Sequence, residues 1–237
     1  MAFAADPRAA TGYEARWEQH NVERRAQILR AAVELIEASP PGGDVSVLSI
    51  AKRAGVAKSV VYRQFSSKEE LECRVRSYVF DDFAAVLDTK LDVTNGSLRE
   101  ILTRTVEAVA DWMIDHPRLD EFARRGPTFE GDGSLDAVGE LKLRMTRQAE
   151  DIIAEIAATI GVDDAAFTSV PFAVVTMVEA TLSAWRRGAA PTRSREEMIA
   201  HLADFAWYVL DGAARSAGLE VSRDDPLMAV ITALTNR

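Results

Sequence analysis

Residues 45–68 read VSVLSIAKRAGVAKSVVYRQFSSK. They hold five basic side chains, Lys52, Arg53, Lys58, Arg63 and Lys68, and no acidic one, in a chain whose formal charge is −9. Two short helical patterns flank Ala54-Gly55-Val56. Ser46 can cap the first, and Gly55 can take the left-handed conformation that a tight helix exit requires. The second covers about residues 58–65. This is the pattern of a helix-turn-helix, whose second helix turns polar side chains toward a major groove. Ile50, Ala51, Ala54, Val56, Val61 and Phe65 are its candidate core, with the small alanines allowing close approach. Lys58, Ser59, Val60, Arg63 and Gln64 are left facing outward. Arginine and glutamine offer paired hydrogen-bonding groups suited to guanine and adenine edges, and Lys58 and Lys68 suit phosphates. On pattern alone, a helical hairpin with a solvated basic face fits as well.

Outward from this stretch nearly every ordered segment reads as helix. Residues 1–21 are polar and predict a loose arm. Ile28, Leu29, Ala32, Leu35 and Ile36 share one helical face, giving a first helix over residues 22–38 that Ser39-Pro40-Pro41-Gly42-Gly43 stops. Ser66 and Glu69 fit a capping box opening a fourth helix, with Leu71, Val75, Tyr78, Val79, Phe83 and Val86 as its apolar stripe. Asn95-Gly96-Ser97 breaks the chain before a fifth helix that stops at His116-Pro117. A short piece over 118–125 and a Gly/Pro loop over 126–133 follow. Three long helices are expected near 134–160, 164–187 and 194–217, then a short apolar helix after Pro226. The expected fold class is all-α: a three-helix head over residues 22–67 and a helical body over 68–237.

Charge divides along the same line. Residues 1–80 are net +2 and residues 81–237 net −11, so the basic potential is kept to one part of the molecule. Forty-eight per cent hydrophobic residues among 237 is ample for a packed core. A lone cysteine, Cys73, excludes an intramolecular disulfide and suits a reducing compartment. The N-terminus shows no cationic start followed by an apolar run, and the uncharged stretch over 165–178 is shorter than a bilayer span. That stretch reads as a buried helix, and the chain as cytoplasmic, without a membrane partner.

Ser46-Val47, Ile50-Ala51, Ala54-Gly55-Val56, Tyr62, Phe65, Lys68-Glu69 and Leu71 together resemble the DNA-binding head of TetR-family transcriptional regulators, and the helix order of the rest is similar too. The resemblance implies a homodimer on a palindromic double-stranded operator, usually a repressor released by a small molecule. By position, Ser46 would cap the second helix and touch a phosphate, Tyr62 and Lys68 would hold the DNA backbone, and Lys58, Ser59, Val60, Arg63 and Gln64 would read bases. The chain departs from the family at Ala57, where serine is frequent, and at Val60, where threonine is; both changes remove a hydroxyl.

In the body the same resemblance implies an effector cavity bordered by Trp112, Met113, Phe122, Phe129, Leu141, Met145, Phe172 and Met177, with His116, Thr176 or Glu179 as polar anchors and a hydrophobic or aromatic effector. Ordinary core packing is the competing reading for each. The last two long helices are apolar on more than one side: Met198, Leu202, Phe205 and Val209 form a stripe, with Trp207, Tyr208 and Leu210 off it. Such helices need a second partner, which a second subunit would supply in a four-helix contact. Three histidines in separate segments, and no nucleophile elbow or phosphate loop, argue against an enzyme; no cofactor or metal is expected. A helical carrier whose head no longer binds DNA is the alternative function.

Overall fold

The computed structural model describes residues 7–130, 133, 135–189 and 192–236. Among them it contains ten α-helices and one 3₁₀ turn, with no strand. The helices are α1 (Pro7–Glu37), α2 (Val47–Arg53), α3 (Lys58–Gln64), α4 (Lys68–Lys90), α5 (Leu98–Asp115), α6 (Pro117–Ala123), α7 (Ala137–Ile160), α8 (Val170–Arg186), α9 (Arg195–Ser216) and α10 (Leu227–Thr235); the 3₁₀ turn (Asp164–Phe167) precedes α8. The all-α expectation holds.

The head is built as its pattern dictates. Ser46 caps α2 by accepting from the Ser49 N–H at 3.0 Å, and Gly55 leaves the helix at φ +65°, where a Cβ would be strained. Ile28, Ala32 and Ile36 of α1 meet Ile50 and Ala51 of α2 and Val61 of α3, with Phe65 directly after α3. Gln27 donates to the carbonyl of Ala54 at 2.8 Å, which satisfies one acceptor left open at the end of α2. Leu71, Val75 and Val79 of α4 belong to the same core, and so does Leu119 of α6. The head core therefore includes side chains from beyond residue 67.

Four local expectations change. Helix α1 starts at Pro7, so residues 7–21 are helical where a loose arm was expected; residues 1–6 lie outside the described part. The cap of α4 is Ser67, which accepts from the Glu70 N–H at 3.1 Å. Glu70 accepts from the Ser66 N–H at 2.7 Å, one residue outside the cap, so Ser67 is a simple cap and the Ser66/Glu69 box does not form. On α4 the stripe runs through Phe80, Phe83, Ala84 and Leu87, while Val86 is exposed. The expected start of α7 falls at Ser134, outside the described residues; its cap is Asp136, accepting from Gly139.

The body wraps a second set of cores. α5 packs on α9, α7 on α8, and α8 on α9. Val106, Ala110 and Met113 of α5 meet Val178 and Leu182 of α8 and Met198, Ile199 and Leu202 of α9. α10 closes the end far from the head, with Leu227 and Ile231 against Ile101. The segment over 165–178 is not the buried helix expected: Phe172 is half exposed. Asp164–Arg186 is the one described segment long and apolar enough to cross a membrane by length and composition, and only 22% of its most apolar window is buried. The stripe on α9 is also split. Met198 and Leu202 are buried, Ala206 takes the next inward position, and Phe205 and Val209 turn outward with Tyr208.

Phe65 is 2% exposed at the centre of the head. Phe65→Ala should lower unfolding stability by about 3–5 kcal/mol, read by urea denaturation followed in the far ultraviolet. An effect under about 1 kcal/mol would mean that the head core is not packed as described.

Candidate DNA-reading head and effector cavity

The outer surface of α3 is built from Lys58, Ser59, Tyr62 and Arg63, all exposed. The Lys58 ammonium lies 5.7 Å from the Tyr62 ring centre, so the two form one cationic ridge. The position before α3 is Ala57, which supplies no side-chain cap. Beside the ridge, α1 contributes His20, Arg24 and Arg25 to a cleft completed by Val60, Arg63 and Gln64. Arg25 donates to the Gln64 carbonyl at 2.8 Å and covers the Phe65 ring, which fixes α1 against the end of α3.

The body encloses a cavity of about 320 Å³, within the usual range for small-molecule sites. Its walls come from α4 to α10 and are apolar over most of their extent. Trp112 stacks on Phe83 with ring centres 4.6 Å apart. Behind one end of the wall lies a cluster of charged side chains. Asp120, 1% exposed, accepts from Arg124 at 3.1 Å and is also bonded by Arg186. Arg124 reaches on to Glu179 at 2.7 Å, and Lys142 lies 3.4 Å from the same carboxylate. Burial works against the charged Arg124 guanidinium, but the hydrogen bonds to Glu179 and Asp120 outweigh it and raise its pKa. Among the described residues no three His, Cys, Asp or Glu side chains converge as metal ligands would.

Residues 28–72, which contain α2 and α3, match the family model described as bacterial regulatory proteins, TetR family. An uncharacterised HTH-type transcriptional regulator of Mycobacterium tuberculosis is 27% identical over 229 residues, covering 91% of this chain and 89% of that protein. A TetR-family transcriptional regulator from Streptomyces coelicolor has the same fold, with a TM-score of 0.62, 21% identity, and coverage of 90% of this chain and 89% of the other. A TetR-like regulator from Rhodococcus gives a TM-score of 0.53 at 22% identity, over 80% of this chain and 96% of the other. The head is a TetR-family head. A head of this kind binds DNA, and the relatives that span most of the chain are named as transcriptional regulators.

The residues singled out in the sequence fall into groups. In the head, Lys58, Ser59 and Arg63 share the open face of α3, with Tyr62 beside them and Ser46 at the start of α2. Val60 and Gln64 do not face fully outward. Both are half-buried, because they sit one residue before the inward Val61 and Phe65 and so flank the buried face. Gln64 also donates to Asn21 at 3.3 Å. Lys68 is engaged within the head: it donates to both Asp44 oxygens at 2.7–2.8 Å and lies 3.5 Å from Glu72. The bond to Asp44 raises the Lys68 pKa and lowers that of Asp44. The contribution of Arg24 and Arg25 was not anticipated. Their only signal was a basic pair one turn ahead of the apolar face of α1.

In the body, Trp112, Met113, Leu141, Met145 and Glu179 line the cavity. The other six do not. His116 is bonded to Glu37 at the seam between body and α1. Phe122 packs against the head core under the Arg76 guanidinium, 4.6 Å from the ring centre, and Phe129 is covered by Arg74 at the surface. Phe172 faces outward, Met177 packs toward α5 and α9, and the Thr176 hydroxyl is buried without a partner. The cause is the rotation of α8, which presents Val170, Val174, Val175 and Val178 to the cavity instead. Asp120, Arg124 and Lys142 were missed, because charged side chains in amphipathic helices read as solvent-facing until the tertiary fold gathers them.

Two predictions follow from this geometry. Lys58→Ala and Arg63→Ala should each weaken binding to duplex DNA and lower the salt slope by about one, whereas Lys68→Ala, whose cation is already paired, should lower it by less; fluorescence anisotropy across a salt series decides. Asp120→Ala should destabilise the fold by about 3–5 kcal/mol, since it leaves Arg186 without its counter-charge and Arg124 with Glu179 alone, and a thermal shift near zero would argue against the buried network.

Proposed function

We propose that this protein is a homodimeric TetR-family repressor that leaves a palindromic operator when a small hydrophobic effector occupies the body cavity. The observation that carries the reading is the double placement of α6. Leu119 on one side of this short helix is part of the head core, while Asp120 and Arg124 on the other line the cavity wall. Glu121 of the same helix accepts from the Gly42 N–H at 3.1 Å, in the loop between α1 and α2. An effector that prefers a different position of α6, or of α4 beside it, moves the head. Its effect on DNA affinity is limited to its differential affinity for the two arrangements.

Dimerisation is supported by the outer face of α8 and α9. Phe172, Phe205, Tyr208 and Val209 are 36–58% exposed, and His201, Phe205 and Tyr208 stack in a row along α9 with ring centres 6.2 and 6.4 Å apart. A second copy packed on this face would form an isologous four-helix contact and set two α3 helices ~34 Å apart, one turn of duplex. Lys58, Ser59 and Arg63 would then read bases, Val60 would meet a thymine methyl at the edge, and Ser46 and Tyr62 would hold phosphates.

Selection of bound sequences from a random duplex pool tests the reading directly: a recovered palindrome is expected, and a pool without an enriched site would overturn it. Phe205→Glu with Tyr208→Glu should yield monomers in sedimentation and weaken operator binding by at least about tenfold, through loss of the linked second half-site. An unchanged dimer would move the interface elsewhere.

A further inference from the structure

The cations of the head are not all in the same condition. Arg53 is paired with Glu34 at 2.9 Å, and Lys68 with Asp44 at 2.7 Å. Lys58 and Arg63 of α3, and Arg24 and Arg25 of α1, are paired with no carboxylate among the described residues. Arg24, Arg25 and Arg63 meet in the cleft between α1 and α3, and no acidic side chain lines it. Like charges gathered without a counter-charge raise a local positive potential that an anion relieves.

Successive residues step round a helix axis by about 100°, which fixes what each side of α3 presents. Val61 points into the head core. Ser59 and Arg63 lie opposite it. Lys58 and Tyr62 occupy one flank, and Val60 and Gln64 the other. The first flank carries the cationic ridge of Lys58 on Tyr62. The second is backed by α1: Arg25 donates to the Gln64 carbonyl at 2.8 Å, and the Gln64 amide donates to the Asn21 side chain at 3.3 Å. Arg24 Nη2 lies 3.2 Å from His20 Nε2, one turn earlier on the same side of α1. A helix in a major groove runs between two phosphate backbones, one from each strand. Each flank of α3 thus has its own cationic group, one on α3 itself and the other on α1.

We propose that the cleft between α1 and α3 is a phosphodiester site, in which Arg24, with His20 beside it, holds the backbone of the DNA strand opposite the one held by Tyr62. This rests on the DNA-binding reading given above and adds to it a contact that lies outside the helix-turn-helix. The phosphate oxygens accept charge-assisted hydrogen bonds from Arg24. Arg25 adds its charge while its donor stays on the Gln64 carbonyl, and so fixes the wall of the cleft. Such a contact carries no sequence information of its own; it sets the orientation of the reading helix. A helix held on one flank can roll about its axis. Held on both, α3 keeps Ser59 and Arg63 directed at the base edges.

Arg24→Ala and Arg24→Lys in the full chain, titrated onto a mixed-sequence duplex across a salt series, test the site. Arg24→Ala should weaken binding about tenfold, the scale of one charge-assisted hydrogen bond, and lower the salt slope by about one. Arg24→Lys keeps the charge and should restore the slope. Combined with Lys58→Ala, the loss should be additive, because the two cations meet different strands. Unchanged binding by Arg24→Ala would overturn the site. So would weaker binding with an unchanged slope, which would mark Arg24 as holding α1 in place rather than a phosphate. A less than additive loss in the double variant would put both cations on one phosphate and overturn the two-strand grip. If Lys58→Ala alone still weakens binding in any of these cases, the DNA-binding reading stands without the cleft. Failure of the unaltered chain to bind the duplex would overturn both.

Discussion

A carboxylate that is 1% exposed must be neutralised within the fold, and Asp120 is neutralised from two helices: by Arg124 one turn along α6 and by Arg186 at the end of α8. Each arginine comes from a different part of the fold, so the relative position of α6 and α8 is constrained by electrostatics as well as by packing. The same α6 inserts Leu119 into the head. A short helix thus joins the three regions that matter, the head, the cavity and the outer α8/α9 face, and its own length of two turns gives it little stability apart from them.

The head was legible in the sequence because its determinants are local. Ser46, Gly55, Val61 and Phe65 act through capping, a left-handed turn and helical spacing, each of which is decided within a few residues. What escaped was set by tertiary rotation. Val60 and Gln64 read as outward until α1 is placed beside them, and Lys68 read as free until Asp44, twenty-four residues earlier, comes within 2.7 Å. The same holds in the body. Bulky residues on α5 and α7 were assigned to the cavity from resemblance, and Trp112, Leu141 and Met145 do line it. On α8, with apolar residues all round, the sequence holds no information about which side faces in, and Phe172, Thr176 and Met177 lie elsewhere.

Charge is distributed in a way that suits both ends of the molecule. The basic ridge on α3 and the arginines of α1 keep positive potential at the head, while the net −11 beyond residue 80 discourages the body from approaching the duplex. Inside the body the charges of Arg124, Arg186 and Lys142 are paired with Asp120 and Glu179 behind the apolar cavity wall.

The aromatic row His201, Phe205 and Tyr208 has a consequence for abundance. When such a face is covered by a second copy, the species that reads DNA forms in proportion to the square of the free protomer concentration wherever protomers predominate. Halving the supply of chain then cuts the reading species to about a quarter, so the amount of protein present becomes a second input to the response, independent of any small molecule.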